Sequence, residues 1–329
     1  MLYQVIEGNE NTYNAGSKAT EDISFICKKM EFQPLYVHPI KKKKYFHEKI
    51  TNQIQYWMEW NKIYNRIDMN SILLLQHPFR HSQFCRENTI LKLKEKKGVR
   101  VISIVHDVEL LRKNICNNHY IKEFEFMKRI ADILIVHNES MKSWFISKGF
   151  SEKQLVVLKL FDYLTDIPIN NMVYSKSLII AGNLDEKKSA YISEIKKIQN
   201  IHFDLYGVNY QGHEEKNIEY HGAFLPEKLP QQFHKGFGLV WDGNTVKTCD
   251  GDTGNYLRYN NPHKLSLYIA SGVPVVIWAK AAEATYVKEK NIGICIDDLS
   301  ELDVALNMIN EEKYSEYINN VHIETEKIR

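Results

Sequence analysis

Short apolar runs and amphipathic stretches take turns along this chain, and the alternation restarts midway through its 329 residues. Leu2 to Glu7 predicts a strand, followed by a polar, glycine-containing loop from Gly8 to Ser17. Next, Ile23, Ile26, Cys27 and Met30 fall at i, i+3, i+4 and i+7, the spacing of one helical face. Thr20 stands where a cap belongs, just ahead of Glu21 and Asp22. Further strands are predicted at Leu35 to His38, Ser71 to Gln76, Val99 to Val105 and Ile133 to Val136. Helical patterns lie between them at 45–67, 84–97, 119–131 and 140–148, with Gly98 and Gly149 closing two of these. Ile72 to Leu75 and Val101 to Val105 do not alternate, so both faces of these strands need cover, as in a parallel sheet.

Periodicity lapses between Lys159 and Ser177, a stretch with Pro168, Asn170 and Asn171 that reads as an interdomain linker. Strands are then predicted at Leu178 to Ala181, His202 to Tyr206, Ile218 to His221, Phe237 to Trp241, Val273 to Trp278 and Ile292 to Ile296. Helices are expected near 187–198, from His263, through 281–290, and on to the C-terminus. The chain thus divides into domains 1–160 and 161–310, with a C-terminal helix at about 311–329 placed to pack back on the first. Strands alternating with helices in both halves predict an α/β protein of two doubly wound, Rossmann-like domains facing a cleft.

Composition agrees with two folded domains: 44% hydrophobic and 12% aromatic residues exclude a disordered chain, a collagen-like repeat or a disulfide-stapled miniprotein. The net charge of +2 conceals a split. Residues 1–160 carry 26 basic and 17 acidic side chains (+9), and residues 161–329 carry 17 and 24 (−7). Cys27, Cys85, Cys116, Cys249 and Cys295 show no disulfide or zinc spacing, so reduced thiols and a cytoplasmic location are expected. No window approaches the roughly 18 apolar residues of a membrane span, and the N-terminus lacks a leader pattern, so no transmembrane segment is expected. Lys41 to Lys44 could meet an anionic surface, but no zinc, RNP or helix-turn-helix signal points to nucleic acid.

Ligands of open parallel sheets bind beyond the carboxyl ends of the strands, where polar residues are the first candidates. Asn260-Asn261-Pro262-His263-Lys264-Leu265 is the clearest run. Asn261 fits an N-cap and Pro262 the first helical position, which would aim the first-turn amides and Lys264 at a phosphate or diphosphate. An ordinary capped helix with a solvated lysine has the same local pattern. Gly182-Asn183 follows the first strand of the second half, where a close backbone approach to a diphosphate needs a small residue. Tyr206 ends the next strand and could stack on a base or lie buried. Asn14-Ala15-Gly16-Ser17 is a loop placed to reach over a bound ligand. His106 and Asp107 end the strand from Val99, and either of them, or His77 after Gln76, could take a proton; Asp107 equally suits a helix cap. Asp250-Gly251-Asp252 could hold a divalent cation, but among Gly and Thr it reads as a solvated loop.

The Asn-Pro-His-Lys-Leu run at 261–265, followed by Ala-Ser-Gly-Val-Pro-Val-Val at 270–276, resembles the nucleotide-binding helix of GT-B glycosyltransferases. Most closely it is similar to that of the bacterial Gtf3-like glucosyltransferases, relatives of galactofuranosyltransferases. His106-Asp107 with Leu111-Arg112, Gly238 to Gly243, and Lys280-Ala281-Ala282 extend the resemblance over the whole chain. It implies transfer of glucose from UDP-glucose to GlcNAc on a serine-rich glycoprotein adhesin. A galactofuranosyltransferase of polysaccharide synthesis and a non-catalytic partner of another transferase are the alternatives. Implied donor contacts are Asn14, Gly16, Gly182, Asn183, Tyr206, Asp242, Arg258, Asn260, Asn261 and Lys264, with Asp107 as base and His106 orienting it or the acceptor. No metal or other cofactor is expected. Many retaining transferases of this fold place a glutamate three residues after the lysine; here Leu267 stands there, and an inverting mechanism with a single base is expected. Trp57 and Trp60 on one helix hint at a homo-oligomer face.

Overall fold

The computed structural model describes residues 1–8, 15–38, 46–113, 116–213 and 215–329. One sheet holds β1 (Leu2–Glu7), β2 (Gln33–Val37), β3 (Ile72–His77), β4 (Arg100–Val105), β5 (Ile133–Val136) and β6 (Leu155–Val157), in the order β2-β1-β3-β4-β5-β6. The other holds β7 (Val173–Asn183), β8 (His202–Val208), β9 (Ile218–Tyr220), β10 (Lys235–Val240), β11 (Val275–Trp278) and β12 (Gly293–Ile296), in the order β12-β11-β10-β7-β8-β9. All strand pairings in both sheets are parallel. Strand order reverses beside β1 and beside β7, and at such switch points the loops part to leave a crevice.

The non-alternating strands are covered on both faces, as their pattern requires. Leu73 and Leu75 of β3 join Trp60, Ile63 and Ile90 in one core cluster, whereas Leu74 and Ile104 join Ile23 and Cys27 in another. In the second sheet Val275, Val276, Ile277 and Trp278 are all fully buried.

Several elements depart from the sequence expectation. The first helix spans Ala15–Lys29, so Thr20 lies in its interior, where its carbonyl accepts from Ser24 Oγ at 2.7 Å, and Gly16 belongs to the helix rather than to a loop. The helix expected at 187–198 is one α-helical turn, Glu186–Ser189, followed by 3₁₀ turns at Ala190–Ser193 and Ile195–Lys197. The C-terminal helix Glu311–Ile328 does not fold back into the first core. Its Tyr314, Tyr317, Val321 and Ile328 enter the second core, and Thr325 Oγ1 donates to Ile269 O. Trp60 is likewise core, its indole donating to Gln83 Oε1 at 2.7 Å, while Trp57 is half exposed. Asn14 and Lys41 to Lys44 lie outside the described residues.

The two halves are joined by polar contacts. Val108 N–H donates to the Tyr256 hydroxyl at 2.9 Å, and Leu164 N–H donates to Asp22 Oδ2 at 3.1 Å. After β5, Asn138 Nδ2 donates to Asn261 Oδ1 at 2.8 Å and to Glu283 Oε1 at 3.1 Å.

Candidate active site

A cleft of about 970 Å³ opens between the carboxyl ends of the two sheets. That volume lies at the upper end of the range for small-molecule sites. The first half contributes Arg80 after β3, His106 and Asp107 after β4, and Arg112 from the turn Glu109–Arg112. The second contributes Gly182 and Asn183 at the end of β7, Lys188, Asp242 after β10, and 260–264 at the start of helix His263–Ala270. Phe161 and Tyr163 of the connecting segment floor the gap between them.

Charge is organised around Asp242, which is buried. Lys264 Nζ donates to Asp242 Oδ1 at 3.0 Å and to Trp241 O at 2.9 Å. Asp242 raises the pKa of Lys188, but burial beside Lys264 and Arg112 wins and holds it below the ordinary lysine value. Arg112 reaches from the other half: its guanidinium donates to Asp107 Oδ2 at 3.0 Å and Glu109 Oε1 at 3.4 Å. Burial opposes its charge, yet Asp107, Glu109 and Asp242 together raise its pKa. The cleft lining thus sets Arg80, Arg112, Lys187, Lys188 and Lys264 against Asp107, Asp185 and Asp242, an excess of two cations that complements a diphosphate. Leu267, three residues after Lys264, is buried and lines the cleft.

Two glycines shape the second wall. Gly182 has φ +135°, and a Cβ built on it would meet nothing within 4 Å, so this backbone borders open cleft. Gly207, opposite it on β8, has φ +154°, and its Cβ would lie 1.7 Å from the Gly182 carbonyl oxygen. Only glycine lets these strand ends lie side by side.

The histidines divide in role. His106 lies beside Gln76, Nε2 to Oε1 at 2.6 Å, and stacks on Phe161 with centroids 5.4 Å apart. Gln76 Nε2 donates to Ser24 Oγ, so its Oε1 accepts, and the His106 proton sits on Nε2. Burial, reinforced by His137, His263, Arg80 and His77, holds His106 down at about 3, which keeps the ring neutral at physiological pH. His77 is buried, with Nδ1 3.1 Å from Glu123 Oε1. Burial alone would raise the Glu123 carboxyl, but His77 and Arg86 bring it down to about 2. His77 is therefore part of a buried hydrogen-bonded network with Glu123 and Arg86. Asp107 is the first half's carboxylate on the cleft; Val108, not Asp107, takes the cap position of the turn that follows.

Several expected donor contacts take other places. Pro262 is the N-cap of helix His263–Ala270, with extended φ and ψ of −68° and 125°, which puts Asn261 outside the helix. Asn261 N–H donates to His137 Nδ1 at 2.9 Å, and its Nδ2 donates to His137 O at 3.0 Å and to Lys159 O. Its side chain is spent on the joint between the halves. Tyr206 lines the cleft but is buried, with its ring stacked on His221 at 4.5 Å and edge-on to Phe233 at 5.3 Å. Arg258 is exposed over the Trp278 indole at 4.5 Å and does not line the cleft. Asn183 Oδ1 accepts from Asp185 N–H and Asn209 Nδ2, ordering the loop after β7. Asn260 Oδ1 has no hydrogen bond within the protein. Of the Asp-x-Asp pair, Asp250 Oδ1 accepts from Asn244 N–H at 2.8 Å and Asp252 is exposed. Lys188 and the His137–Asn138 joint escaped the sequence reading, although all three follow strand ends, the signal that found His106 and Asp107.

Two doubly wound parallel sheets with a cation-rich cleft between their carboxyl ends define the GT-B class of glycosyltransferase. Solved structures agree on the fold. HepE of Anabaena in complex with UDP and glucose superposes with TM-score 0.61 at 11% identity, over 100% of this chain and 95% of that one. An alpha-glucosyltransferase in complex with UDP gives 0.60 at 13%, over 100% and 96%. WaaG, a glycosyltransferase involved in lipopolysaccharide biosynthesis, gives 0.54 at 12%, over 99% and 95%. Sequence profiles described as Glucosyltransferase 3-like match residues 3–160 with the N-terminal domain and 178–329 with the C-terminal domain. The beta-1,6-galactofuranosyltransferase WbbI of Escherichia coli K12 is 33% identical over 70% of this chain and 67% of its own length. Glucosyltransferase 3 of Streptococcus gordonii is 23% identical over 78% and 74%. The chain belongs to the Glucosyltransferase 3-like family of glycosyltransferases.

Proposed function

We propose that this chain transfers a hexosyl group from a UDP-sugar to a saccharide hydroxyl with inversion and without a metal. The particular reaction we infer is glucosyl transfer from UDP-glucose to a GlcNAc-modified serine-rich glycoprotein. The excess of cations around Asp242, in a half whose total charge is −7, carries the reading of an anionic donor held by local groups rather than by the domain's field. Arg112, Lys188 and Lys264 neutralise the departing UDP. Asp107, opposite, accepts the acceptor proton, and Arg112 fixes one of its carboxylate oxygens. Neutral His106, held by Gln76 and Phe161, shapes the wall beside it.

Galactofuranosyl transfer is the second reading, supported by WbbI, whose 33% identity exceeds that of the streptococcal Glucosyltransferase 3 proteins at 23% and 21%. Turnover with UDP-glucose and UDP-galactofuranose in competition, EDTA present, separates the two. Failure to consume either donor with GlcNAc-peptide supplied would sink both and leave a silent partner of another transferase.

A further inference from the structure

Four side chains on one face of the second sheet form a polar group that sugar transfer does not use. His202 and Asp204 are two residues apart on β8, Asp204 stands in register with Glu219 of β9, and His221 follows Glu219 by two. The two-residue period of a strand turns all four toward the same side. His202 Nε2 lies 3.5 Å from Asp204 Oδ1 and 3.5 Å from Glu219 Oε2, and the ligand atoms of these three residues all fall within 4.8 Å of one another. Ligands on a tetrahedral zinc ion, at bond lengths near 2.0–2.1 Å, sit about 3.4 Å apart.

This is a built site rather than a solvated acidic patch. Asp204 is 3% exposed, and its Oδ2 makes no hydrogen bond; the Lys235 ammonium is 3.8 Å away on a side chain 47% exposed. His202 Nε2 is also buried without a hydrogen bond. A buried carboxylate oxygen and a buried imidazole nitrogen that each lack a hydrogen bond are costly in a protein interior, and a cation held between the two side chains would relieve both. His221 Nε2 lies 2.8 Å from Asp204 Oδ1 and its Nδ1 3.8 Å from Glu219 Oε1, so it orients both carboxylates, as partners of metal-bound carboxylates do.

We propose that His202, Asp204 and Glu219 bind one zinc ion, with the fourth position open to water. One imidazole and two carboxylates in a compact group suit zinc better than magnesium, which favours six oxygen ligands and keeps its waters. The ion ties edge strand β9 to β8 and, through Asp204 and His221, fixes the Tyr206 ring at the cleft wall. Its role is structural and independent of the transfer step.

The test is a zinc titration of the tag-free, chelator-stripped chain in competition with a chromophoric chelator, alongside His202→Ala and Glu219→Gln. These side chains are 34% and 56% exposed, so both variants should keep the apo-protein's thermal midpoint, measured in EDTA. The site predicts one zinc per chain, an affinity loss of about tenfold or more in each variant, and a zinc-dependent rise in midpoint for wild type that is absent from His202→Ala. Absence of saturable binding, or an unchanged affinity in His202→Ala, overturns it. Displacement of zinc by equimolar magnesium overturns the choice of metal.

Discussion

Lys264→Met keeps the length of the side chain and removes its charge, separating what this lysine does for the fold from what it does for the reaction. In the native cleft the ammonium donates to Asp242, whose side chain is 12% exposed, and to the Trp241 carbonyl. Loss of a charged donor from a buried acceptor costs about 1.5–3 kcal/mol. Lys188 and Arg112 remain close enough to stabilise the Asp242 charge, so the lower figure applies. About 1.5 kcal/mol corresponds to a fall of roughly 3–6 °C in Tm for a domain of this size. Turnover should fall far more, by about 10²–10³ in kcat, because in the proposed reaction the ammonium stabilises the charge that develops on the leaving diphosphate. Adding Asp242→Asn to Lys264→Met removes the orphaned carboxylate; the double variant should regain most of the lost stability and none of the lost turnover. Differential scanning fluorimetry and UDP release at saturating donor and acceptor measure the two effects. Turnover of Lys264→Met within about threefold of wild type, or its recovery in the double variant, would refute the assignment.

Glu283, buried against Asn138, is pushed up to about 7, so the stability of its protonated form is complete below the unfolded value of 4.5 and is lost as pH rises through 7. Urea unfolding at pH 5 and pH 8 should show wild type losing on the order of 2 kcal/mol more than Glu283→Gln across that interval; equal losses would contradict the burial argument. Gly207→Ala sets a Cβ against the Gly182 carbonyl and should destabilise by more than about 3 kcal/mol in the same assay. Gly182→Ala, whose Cβ meets open space but whose φ of +135° strains any side chain, should cost about 1–3 kcal/mol in stability while raising the donor KM.

What could be read from the chain alone was what local physics dictates. The apolar runs at 72–75 and 101–105 announced strands covered on both faces, and Leu73, Leu74 and Leu75 are divided between two cores as that reading requires. Three-residue β6 carries too little pattern to be seen, and the 187–198 segment keeps helical spacing while breaking into short turns. The strand-end signal led to Asp107, the need for a small residue to Gly182, the helix start to Lys264 and the family resemblance to Asp242, all on the cleft. The differences came from partners remote in sequence. Asn261 looks like a cap until His137, 124 residues earlier, claims it, and of the two fates open to Tyr206, stacking on a base or burial, His221 and Phe233 supply burial. Helix grammar could not anticipate either contact, because both depend on how the sheets and halves meet.

Asp107→Asn tests the central claim most directly, because asparagine can still accept from Arg112 but cannot take up a proton. With UDP affinity measured by calorimetry beside single-turnover transfer, the account predicts that transfer falls by about 10²–10⁴ while UDP affinity stays within about twofold. Transfer within about tenfold of wild type, or a loss of UDP binding that matches the loss of transfer, would contradict it.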